Sequence, residues 1–485
     1  MPYQMNKFIL SAFLLFGLSW IKAQVTYPSS NINLVGFIDP ETVSGVDAIK
    51  YSGCWGYQQT SKNKEYAVVG SSTGTYFIDI TAPSTPTVCD YVAGKHPSAC
   101  IWREVNVYQN YAYVVSDDNT PNSFQIIDMQ YLPDSVHVVY DGKSYFERAH
   151  TVTVDGNKLY VAGITFSNSA ASALRVYSLA TPSVPVLLRS LSQDYPSISY
   201  VHDMFVRNDT VFASCANQGL HVYKFTASNT FSALGSLTGY VEAGYSHSSS
   251  MTKDGKNLVF CDEVPTDLAI KIADITNLSN ITVTSLFRPN ANTDFVAHNP
   301  YVIGNNYVLV SCYEDGVNLY NISNPVAPTL AGYFDTYPQG GANFGNNYGS
   351  GSYNGNWGAY PYYKSGYILA CDMQNGVFIL EAFGLLGNPT GITTTKKPGD
   401  LVFNVYPNPA ATNLNISIKD NGSESYSIEL QNMQGQIVFS EAEKNSGGNQ
   451  FISKKLNISD LAAGIYMVTV STPKGKLNKK VVINK

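Results

Sequence analysis

The sequence predicts an all-β protein, in which a seven-bladed β-propeller is followed by a small C-terminal β-sandwich of the immunoglobulin-like type. Three observations predict it. Seven similar phrases recur at a near-constant spacing, each holds several alternating apolar and polar runs, and a Gly/Thr/Pro-marked segment separates them from a different β-rich tail. The composition agrees, because Tyr (35) outnumbers Lys plus Arg (30) and Gly is abundant (38). Such a mixture favours short strands and tight turns.

The repeated phrase is seen most clearly in "AHTVTVDGNKLYVAG" (149–163), where an alternating run, a DGN turn and a Tyr-led apolar run follow a histidine. A third run such as "GVNLYNIS" and, after a proline-marked turn, a fourth such as "TLAGYFDTY" complete the unit. Four antiparallel strands in about 40–50 residues are typical of a propeller blade. The residues that mark the seven copies, spaced by 47, 48, 52, 45, 51 and 59 positions, are Trp55, Trp102, His150, His202, His247, His298 and Trp357.

The seventh copy ends after "GVFILEAFG" without a fourth strand of its own. Near the start of the chain, "INLVGFIDP" (32–40) is similar to the fourth-strand phrase "PTLAGYFDTY". We expect this N-terminal segment to complete blade seven, which would remove an exposed sheet edge.

The predicted organisation has four parts: a signal peptide (1–23), the propeller (24–386), a linker (387–400) and the C-terminal domain (401–485). Lys7 precedes an apolar run from Phe8 to Trp20, and cleavage is expected after Ala23, as in secretory signal peptides. The run is shorter than the ~20 residues of a membrane-spanning helix. We therefore expect an exported mature protein without a transmembrane span.

Charge and cysteine content restrict the partners and the class of protein. The net charge is −6, with 30 Lys plus Arg against 36 Asp plus Glu, which argues against nucleic acid as a partner. Seven cysteines are too few for a disulfide scaffold in a chain of 485 residues. Cys89 and Cys100 flank a turn, and whether they pair is left open. The cysteines that recur at matching points of the repeat are expected to be small buried apolar residues; they are Cys215, Cys261, Cys312 and Cys371.

The tail carries the phrases "YPNPA", "LQNMQGQIV", "LAAGIYMVTV" and "KKVVINK". They resemble the C-terminal sorting domain of the bacterial type IX secretion system. The resemblance implies the type IX secretion machinery as a partner, and a secreted or outer-surface location. An ordinary binding sandwich is the alternative. The residues that carry the motif are Tyr406, Pro407, Asn408, Pro409, Gly464, Tyr466, Lys480 and Lys485.

The propeller region carries the phrases "CWGY", "WREV", "RAHT", "YVHD", "AHN" and "WGAYP", with "IIDM" and "IADIT" in the third strands. On these phrases it resembles the LVIVD-repeat propellers of the choice-of-anchor B family. Blades three and four depart from the third-strand pattern ("VYSLA", "VYKFT"). The resemblance implies a β-propeller fold and a location at the cell surface, and it implies no particular reaction.

Because the innermost strand of each blade lines the central channel, we expect the seven markers to form a ring at one mouth. Three interpretations of the histidines are open: hydrogen bonds to the backbone of neighbouring blades, a polar and aromatic mouth for a sugar or peptide, or a metal site. Four blades spread over half a circumference argue against one shared ion, although two neighbours could share one, and no metal or cofactor is predicted. Further candidate ligand contacts, beside the markers and in the Tyr-rich loop 335–363, are Arg103, Glu104, Arg148, Asp203 and Tyr360.

No catalytic residue is predicted. Ser246 is next to His247, but adjacent strand residues point to opposite faces, and the nucleophile-elbow, zinc-protease, P-loop and dinucleotide motifs are absent from the sequence. The leading hypothesis is a surface propeller that binds an extracellular glycan or peptide. The alternatives are an extracellular hydrolase or lyase acting on polysaccharide or peptide, which carboxyl groups of raised pKa at the mouth would favour, and a structural surface-layer component.

Overall fold

The computed structural model describes most of the chain, and the described residues are 27–96, 98–118, 120–289, 295–340, 353–387, 401–420, 425–432, 436–444, 451–472 and 475–484. The predicted signal peptide, residues 388–400 of the predicted linker, residues 341–352 of the Tyr-rich loop, and Lys485 lie outside them. The chain divides into a unit that ends at Ala382 and a C-terminal unit that begins at Phe383, to which residues 364–366 are also assigned.

The first unit consists of antiparallel sheets that form blades, with the earliest strand of each blade innermost. Two short strands precede the blades, β1 (Ser29–Ser30) and β2 (Asn33–Ile38). Blade one contains β3 (Tyr51–Gln59), β4 (Lys64–Ser71), β5 (Gly74–Asp79) and β6 (Thr87–Ala93). Blade two contains β7 (Arg103–Tyr108), β8 (Tyr111–Ser116), β9 (Phe124–Asp128) and β10 (His137–Gly142). Blade three contains β11 (Thr151–Asp155), β12 (Lys158–Thr165), β13 (Ala171–Ser178) and β14 (Val186–Ser190).

The same order of strands continues through the remaining blades. Blade four contains β15 (Asp203–Arg207), β16 (Thr210–Ser214), β17 (Leu220–Phe225) and β18 (Phe231–Leu237). Blade five contains β19 (Ser246–Met251), β20 (Asn257–Asp262), β21 (Ile270–Asp274) and β22 (Thr282–Phe287). Blade six contains β23 (Asn299–Ile303), β24 (Tyr307–Ser311), β25 (Val317–Asn321) and β26 (Thr329–Phe334). Blade seven contains β27 (Asn356–Tyr360), β28 (Ile368–Asp372) and β29 (Gly376–Glu381).

The blades close into a ring. Each innermost strand packs beside the innermost strand of the next blade, and β27 of blade seven packs beside β3 of blade one. The fourth strand of blade seven is β2, which pairs with β29 so that Phe37 is opposite Phe378. The preceding strand, β1, pairs with β26 at the edge of blade six. One sheet therefore joins both ends of the propeller, which is a seven-bladed all-β fold.

Short helical segments occur between strands of the described chain. The 3₁₀ turns are Val46–Ala48, Thr60–Lys62, Leu191–Gln193 and Leu278–Asn280, and a single-turn helix, α1, is Phe383–Leu386. None of the described helices is long and apolar enough to cross a membrane.

The core of the propeller lies between adjacent blades. Tyr160 and Val176 of blade three, for example, share one apolar cluster with Met204 and Val211 of blade four. Each fully buried aliphatic or aromatic side chain contributes about 1.5–3 kcal/mol relative to an exposed one. The repeated cysteines are buried, as predicted, and all seven cysteines are free thiols. Cys89 and Cys100, whose pairing the sequence does not decide, therefore form no disulfide bond in this structure.

The C-terminal unit is a sandwich of two antiparallel sheets. One sheet contains β30 (Leu401–Tyr406), β31 (Asn413–Asp420) and β34 (Phe451–Asn457). The other contains β32 (Ser425–Asn432), β33 (Ile437–Lys444), β35 (Gly464–Thr472) and β36 (Gly475–Ile483). Alternate residues of both sheets, such as Leu414, Ile428 and Val468, are fully buried in one shared core, which is the pattern of a β-sandwich.

Candidate functional site

The propeller encloses an axial cavity of about 350 Å³, lined by residues from the innermost region of all seven blades. Innermost strands converge on the axis of a propeller, so residues far apart in sequence meet there. Four of the seven marker residues are histidines, and all four line the cavity, as does Trp357.

These five side chains form a continuous row of contacting rings, here called the His/Trp arc. The ring centroids are 4.0 Å apart for His150 and His202, and 4.3 Å apart for His202 and His247. The next pairs, His247 with His298 and His298 with Trp357, are separated by 4.4 and 4.5 Å. The structure therefore brings five of the predicted markers together at one level of the channel.

The arc continues to Glu104 of blade two rather than to a tryptophan. The indole Nε1 of Trp357 donates to Glu104 Oε1 at 2.5 Å. Blade one, which lies between these two blades, contributes Gly53 at this level, and a Cβ atom on Gly53 would lie only 2.2 Å from Glu104 Oε2. The same Cβ atom would lie 2.7 Å from the backbone carbonyl oxygen of Arg103, so the position favours glycine.

The two remaining predicted markers, Trp55 and Trp102, are not part of the His/Trp arc. Trp102 precedes β7, is 39% exposed, and is not among the described residues that line the cavity. Trp55 lines the cavity but packs on Tyr360, with ring centroids 5.2 Å apart. Trp55 differs from the arc residues because of the position of a β-bulge. In blades five and seven the bulge residue of the innermost strand is His247 or Trp357, whereas in blade one the bulge precedes Cys54, which leaves Trp55 after it.

The other predicted contact residues divide into two groups. Asp203 and Glu104 line the cavity, and Asp203 accepts a hydrogen bond from Thr151 Oγ1 at 3.2 Å. Arg103 is buried between blades, where its Nε donates to the carbonyl of Ser71 at 3.1 Å. The Nη1 atom of Arg148 donates to the carbonyl of Asp117 at 3.2 Å. Like Arg103, neither Arg148 nor Tyr360 is among the described residues that line the cavity.

The Nδ1 atoms of the four histidines have different partners. His247 Nδ1 is 3.1 Å from the carbonyl oxygen of His298, and His298 Nδ1 is 2.6 Å from that of Trp357. These two imidazoles tie neighbouring blades together through the backbone, which is the structural interpretation of the histidines. His150 Nδ1 instead meets Asp117 Oδ2 at 2.6 Å, and His202 Nδ1 meets the hydroxyl of Tyr245 at 3.1 Å.

Sequence reasoning missed several residues that surround the arc. Glu263 Oε2 is 3.6 Å from His247 Nε2, while its Oε1 accepts a hydrogen bond from the Tyr313 hydroxyl at 2.7 Å. One ligand atom each from His202, His247 and Glu263 lie within 4.8 Å of one another, so the three could hold a metal ion. Asp117, Glu263 and Tyr313 come one or two residues after the second strand of their blades, and that shared position is the signal by which they could be found.

The acidic groups of the cavity hold their protons more tightly than usual. Burial raises the pKa of Glu104 to about 7, although the hydrogen bond from Trp357 opposes the shift. Burial likewise raises the pKa of Asp203 to about 6. A carboxyl group removed from water favours its neutral form.

The histidines differ in charge at neutral pH. Burial lowers the pKa of His150, but the charge and hydrogen bond of Asp117 outweigh that effect, and the pKa is raised to about 9. Burial, with the charge of neighbouring histidines, lowers the pKa of His202 well below its usual range and those of His247 and His298 to about 3. The arc therefore contains one imidazolium and three neutral imidazoles.

The C-terminal motif residues form a separate structure in the second unit. Asn408, in the turn after β30, donates from Nδ2 to the carbonyl of Lys480, and its Oδ1 accepts from the amide of Val482 at 2.8 Å. Gly464 begins β35, and the Tyr466 hydroxyl donates to the carbonyl of Ala462 at 3.0 Å. The turn "YPNP" is thus hydrogen-bonded, through Asn408, to the last strand of the sandwich.

Comparison with known proteins identifies this C-terminal unit. Residues 404–484 match the family described as the secretion system C-terminal sorting domain. No curated protein matches the chain. Among solved structures, this chain is similar to PorZ, a bacterial surface component of the type IX secretion system of Porphyromonas gingivalis (14% identity, TM-score 0.38), over 87% of this chain and 64% of that one.

Two further similar structures are β-propellers. The Swd1 propeller domain of Myceliophteria thermophila is 12% identical with a TM-score of 0.44, over 65% of this chain and 93% of that one. The WD40 repeats of RRP9 are 10% identical with a TM-score of 0.47, over 74% of this chain and 99% of that one. The sorting domain is what assigns the chain to an export route: it is a secreted or cell-surface protein that carries a type IX secretion signal at its C-terminus.

Proposed function

We propose that the chain is a surface propeller of the LVIVD-repeat, choice-of-anchor B type that binds a short segment of an extracellular glycan or peptide in its axial cavity. The propeller would span residues 24–386 after removal of a signal peptide (1–23), and the sorting domain would span 401–485 after the linker. Export through the type IX machinery would bring the cavity into contact with extracellular ligands.

The observation that carries the proposal is the cavity itself. Its volume of about 350 Å³ falls at the lower end of the ~300–1,000 Å³ typical of small-ligand pockets. It is lined by aromatic faces of the His/Trp arc together with the polar groups of Glu104, Asp203 and Asn299. Such pockets combine apolar surface with a few directed hydrogen-bonding groups, and that combination suits a sugar ring or a peptide segment.

The test is a glycan and peptide array probed with the full chain and with a variant whose cavity is filled. Ser249 lines the cavity, and its hydroxyl has no hydrogen-bond partner in the described structure, so Ser249→Trp fills space without removing a hydrogen bond. Ser232 is exposed on β18, and Ser232→Trp is the matched control. We expect a ligand that the wild type and Ser232→Trp retain and Ser249→Trp loses. The proposal would be contradicted if the wild type bound no ligand on the array. It would also be contradicted if Ser249→Trp, shown by circular dichroism to be folded, bound the ligand as well as the wild type does.

A second candidate function is a hydrolase or lyase acting on polysaccharide or peptide, and one observation favours it. Glu104 lies in the cavity wall with a hydrogen-bonded carboxyl group of pKa about 7, which suits a general acid or base at neutral pH. Release of products from array-positive ligands by the wild type, reduced by about 10²–10⁴-fold in Glu104→Gln, would support it. Binding without turnover would leave the binding module as the function.

A further inference from the structure

We propose that His202, His247 and Glu263 hold a divalent first-row transition metal ion, of which Zn²⁺ is the best match, with a coordination position open toward the axial cavity. This inference does not depend on the ligand proposed above. It needs residues from two neighbouring blades only, so the wide spread of the four histidines does not oppose it.

The spacing of the donor atoms is close to that of a loaded site. One ligand atom of each of the three residues lies within 4.8 Å of the others, and His247 Nε2 is already 3.6 Å from Glu263 Oε2. Around a tetrahedral zinc ion with bonds of about 2.1 Å, donor atoms are about 3.4 Å apart. Small side-chain shifts toward the ion are sufficient to close the difference.

Hydrogen bonds to His247 and Glu263 leave one donor atom of each side chain available for a metal ion. His247 Nδ1–H donates to the carbonyl of His298, which leaves the lone pair on Nε2. Tyr313 donates to Glu263 Oε1, which leaves Oε2 next to that nitrogen. Metal-binding histidines usually donate their other N–H to a carbonyl or carboxylate, and ligating carboxylates are hydrogen-bonded in turn.

The third ligand supplies the observation that points most directly to an ion. His202 is 8% exposed, its Nδ1 contacts the Tyr245 hydroxyl, and its Nε2 is buried without a hydrogen-bond partner in the described part of the chain. Buried polar atoms are rarely left unpaired. A metal ion between His202 and His247 would give this nitrogen its missing partner.

The donor set also indicates the kind of ion and its exposure. Two imidazoles and one carboxylate are the protein ligands of many zinc sites that keep a fourth position for water or substrate. Hard ions such as Ca²⁺ and Mg²⁺ prefer oxygen ligands throughout. Because His202 and His247 both line the cavity, the remaining position faces the space in which a hydroxyl, carboxylate or phosphate group of a ligand would lie.

The experiment uses the full chain, stripped with a chelator and dialysed, then titrated with Zn²⁺ by calorimetry and with Co²⁺ to follow its visible absorption. The variants are Glu263→Gln, which keeps an oxygen for Tyr313, and His202→Asn. The control is His137→Asn, because His137 is exposed on β10. We expect one tight Zn²⁺ per wild-type chain, a Co²⁺ spectrum of low coordination number, and at least a hundredfold weaker binding in both site variants but not in the control.

Two results would overturn the proposal. One is the absence of stoichiometric Zn²⁺ binding by the stripped wild type. The other is equal affinity in the wild type and in both site variants, each shown to be folded by circular dichroism. Since the readout is metal alone, it is distinct from the glycan and peptide array, and either proposal can fail while the other stands.

Discussion

Trp357 of blade seven donates a hydrogen bond from its indole nitrogen to the carboxyl group of Glu104 of blade two, at 2.5 Å and across 253 residues of sequence. The bond passes over blade one, where Gly53 leaves the necessary space. The His/Trp arc is in this way joined to an acidic group that blade two supplies.

The first prediction concerns the hydrogen bond itself. Trp357→Phe keeps an aromatic ring beside His298 but removes the donor to Glu104, whose enclosed carboxyl group then lacks this partner. We expect a loss of about 1–3 kcal/mol in the free energy of unfolding, the cost of an unsatisfied buried group, measured by urea denaturation. The exposed Trp102 offers the control, because Trp102→Phe should cost less than about 0.5 kcal/mol. Equal losses in the two variants would count against the bond.

The second prediction is a pH dependence of stability that Glu104 causes. Its folded-state pKa of about 7 lies above the ~4.3 of an unfolded glutamate, so the folded state binds the proton more tightly between these values. The stabilisation is complete below about pH 4.3 and is lost as the pH rises through about 7. Between pH 4.5 and 8 the melting temperature of the wild type should therefore fall relative to that of Glu104→Gln. Parallel curves for the two proteins would show that the carboxyl group titrates normally.

The third prediction concerns a buried ion pair in blade five. Lys271 Nζ and Asp262 Oδ2 are 2.8 Å apart and both side chains are completely buried. Removing one partner leaves an uncompensated buried charge, so Lys271→Met should lower the free energy of unfolding by about 3–5 kcal/mol. Lys95, which is 57% exposed and 4.0 Å from Asp141, is the control, since Lys95→Met should change it by less than about 1 kcal/mol. A similar small effect at both positions would mean that the buried pair is not maintained in solution.

The fourth prediction concerns the strand that closes the propeller. A Cβ atom on Gly36 of β2 would lie 1.8 Å from the carbonyl oxygen of Pro83, in the turn of blade one. Gly36→Ala should therefore displace β2 and destabilise the propeller by about 1–3 kcal/mol or more. A Cβ atom on Gly239 would have no other atom within 4 Å, and Gly239→Ala should leave the melting temperature nearly unchanged. If Gly36→Ala melts like the wild type, β2 is not held against blade one as described.

Much of the architecture could be predicted because strand period and turn chemistry repeat in every blade. The four histidines and Trp357 were found because each opens a recurrent phrase. Gly53 was missed because a position defined by the absence of a side chain cannot be recognised from residue type. Trp55 lines the cavity outside the arc, because the bulge before Cys54 puts Gly53 beside Glu104, and a bulge has no distinct sequence signature here.

The residues behind the arc could be predicted least. Asp117, Tyr245 and Glu263 reach the histidines from loops whose course depends on how neighbouring blades pack. Their effect on charge is large, since Asp117, with smaller contributions from Glu104 and Asp203, raises the pKa of His150 above those of the other three histidines. The repeat places Asp117 and Glu263 directly after the second strands of their blades, but its periodicity does not show which histidine each of them contacts.

The measurement that tests the central claim most directly is a calorimetric titration of the strongest array ligand against the wild-type chain and Ser249→Trp. If the axial cavity is the binding site, the wild type binds one ligand per chain and the filled variant binds at least a hundredfold more weakly. Equal affinity and stoichiometry in the two folded proteins would show that the ligand binds elsewhere on the propeller.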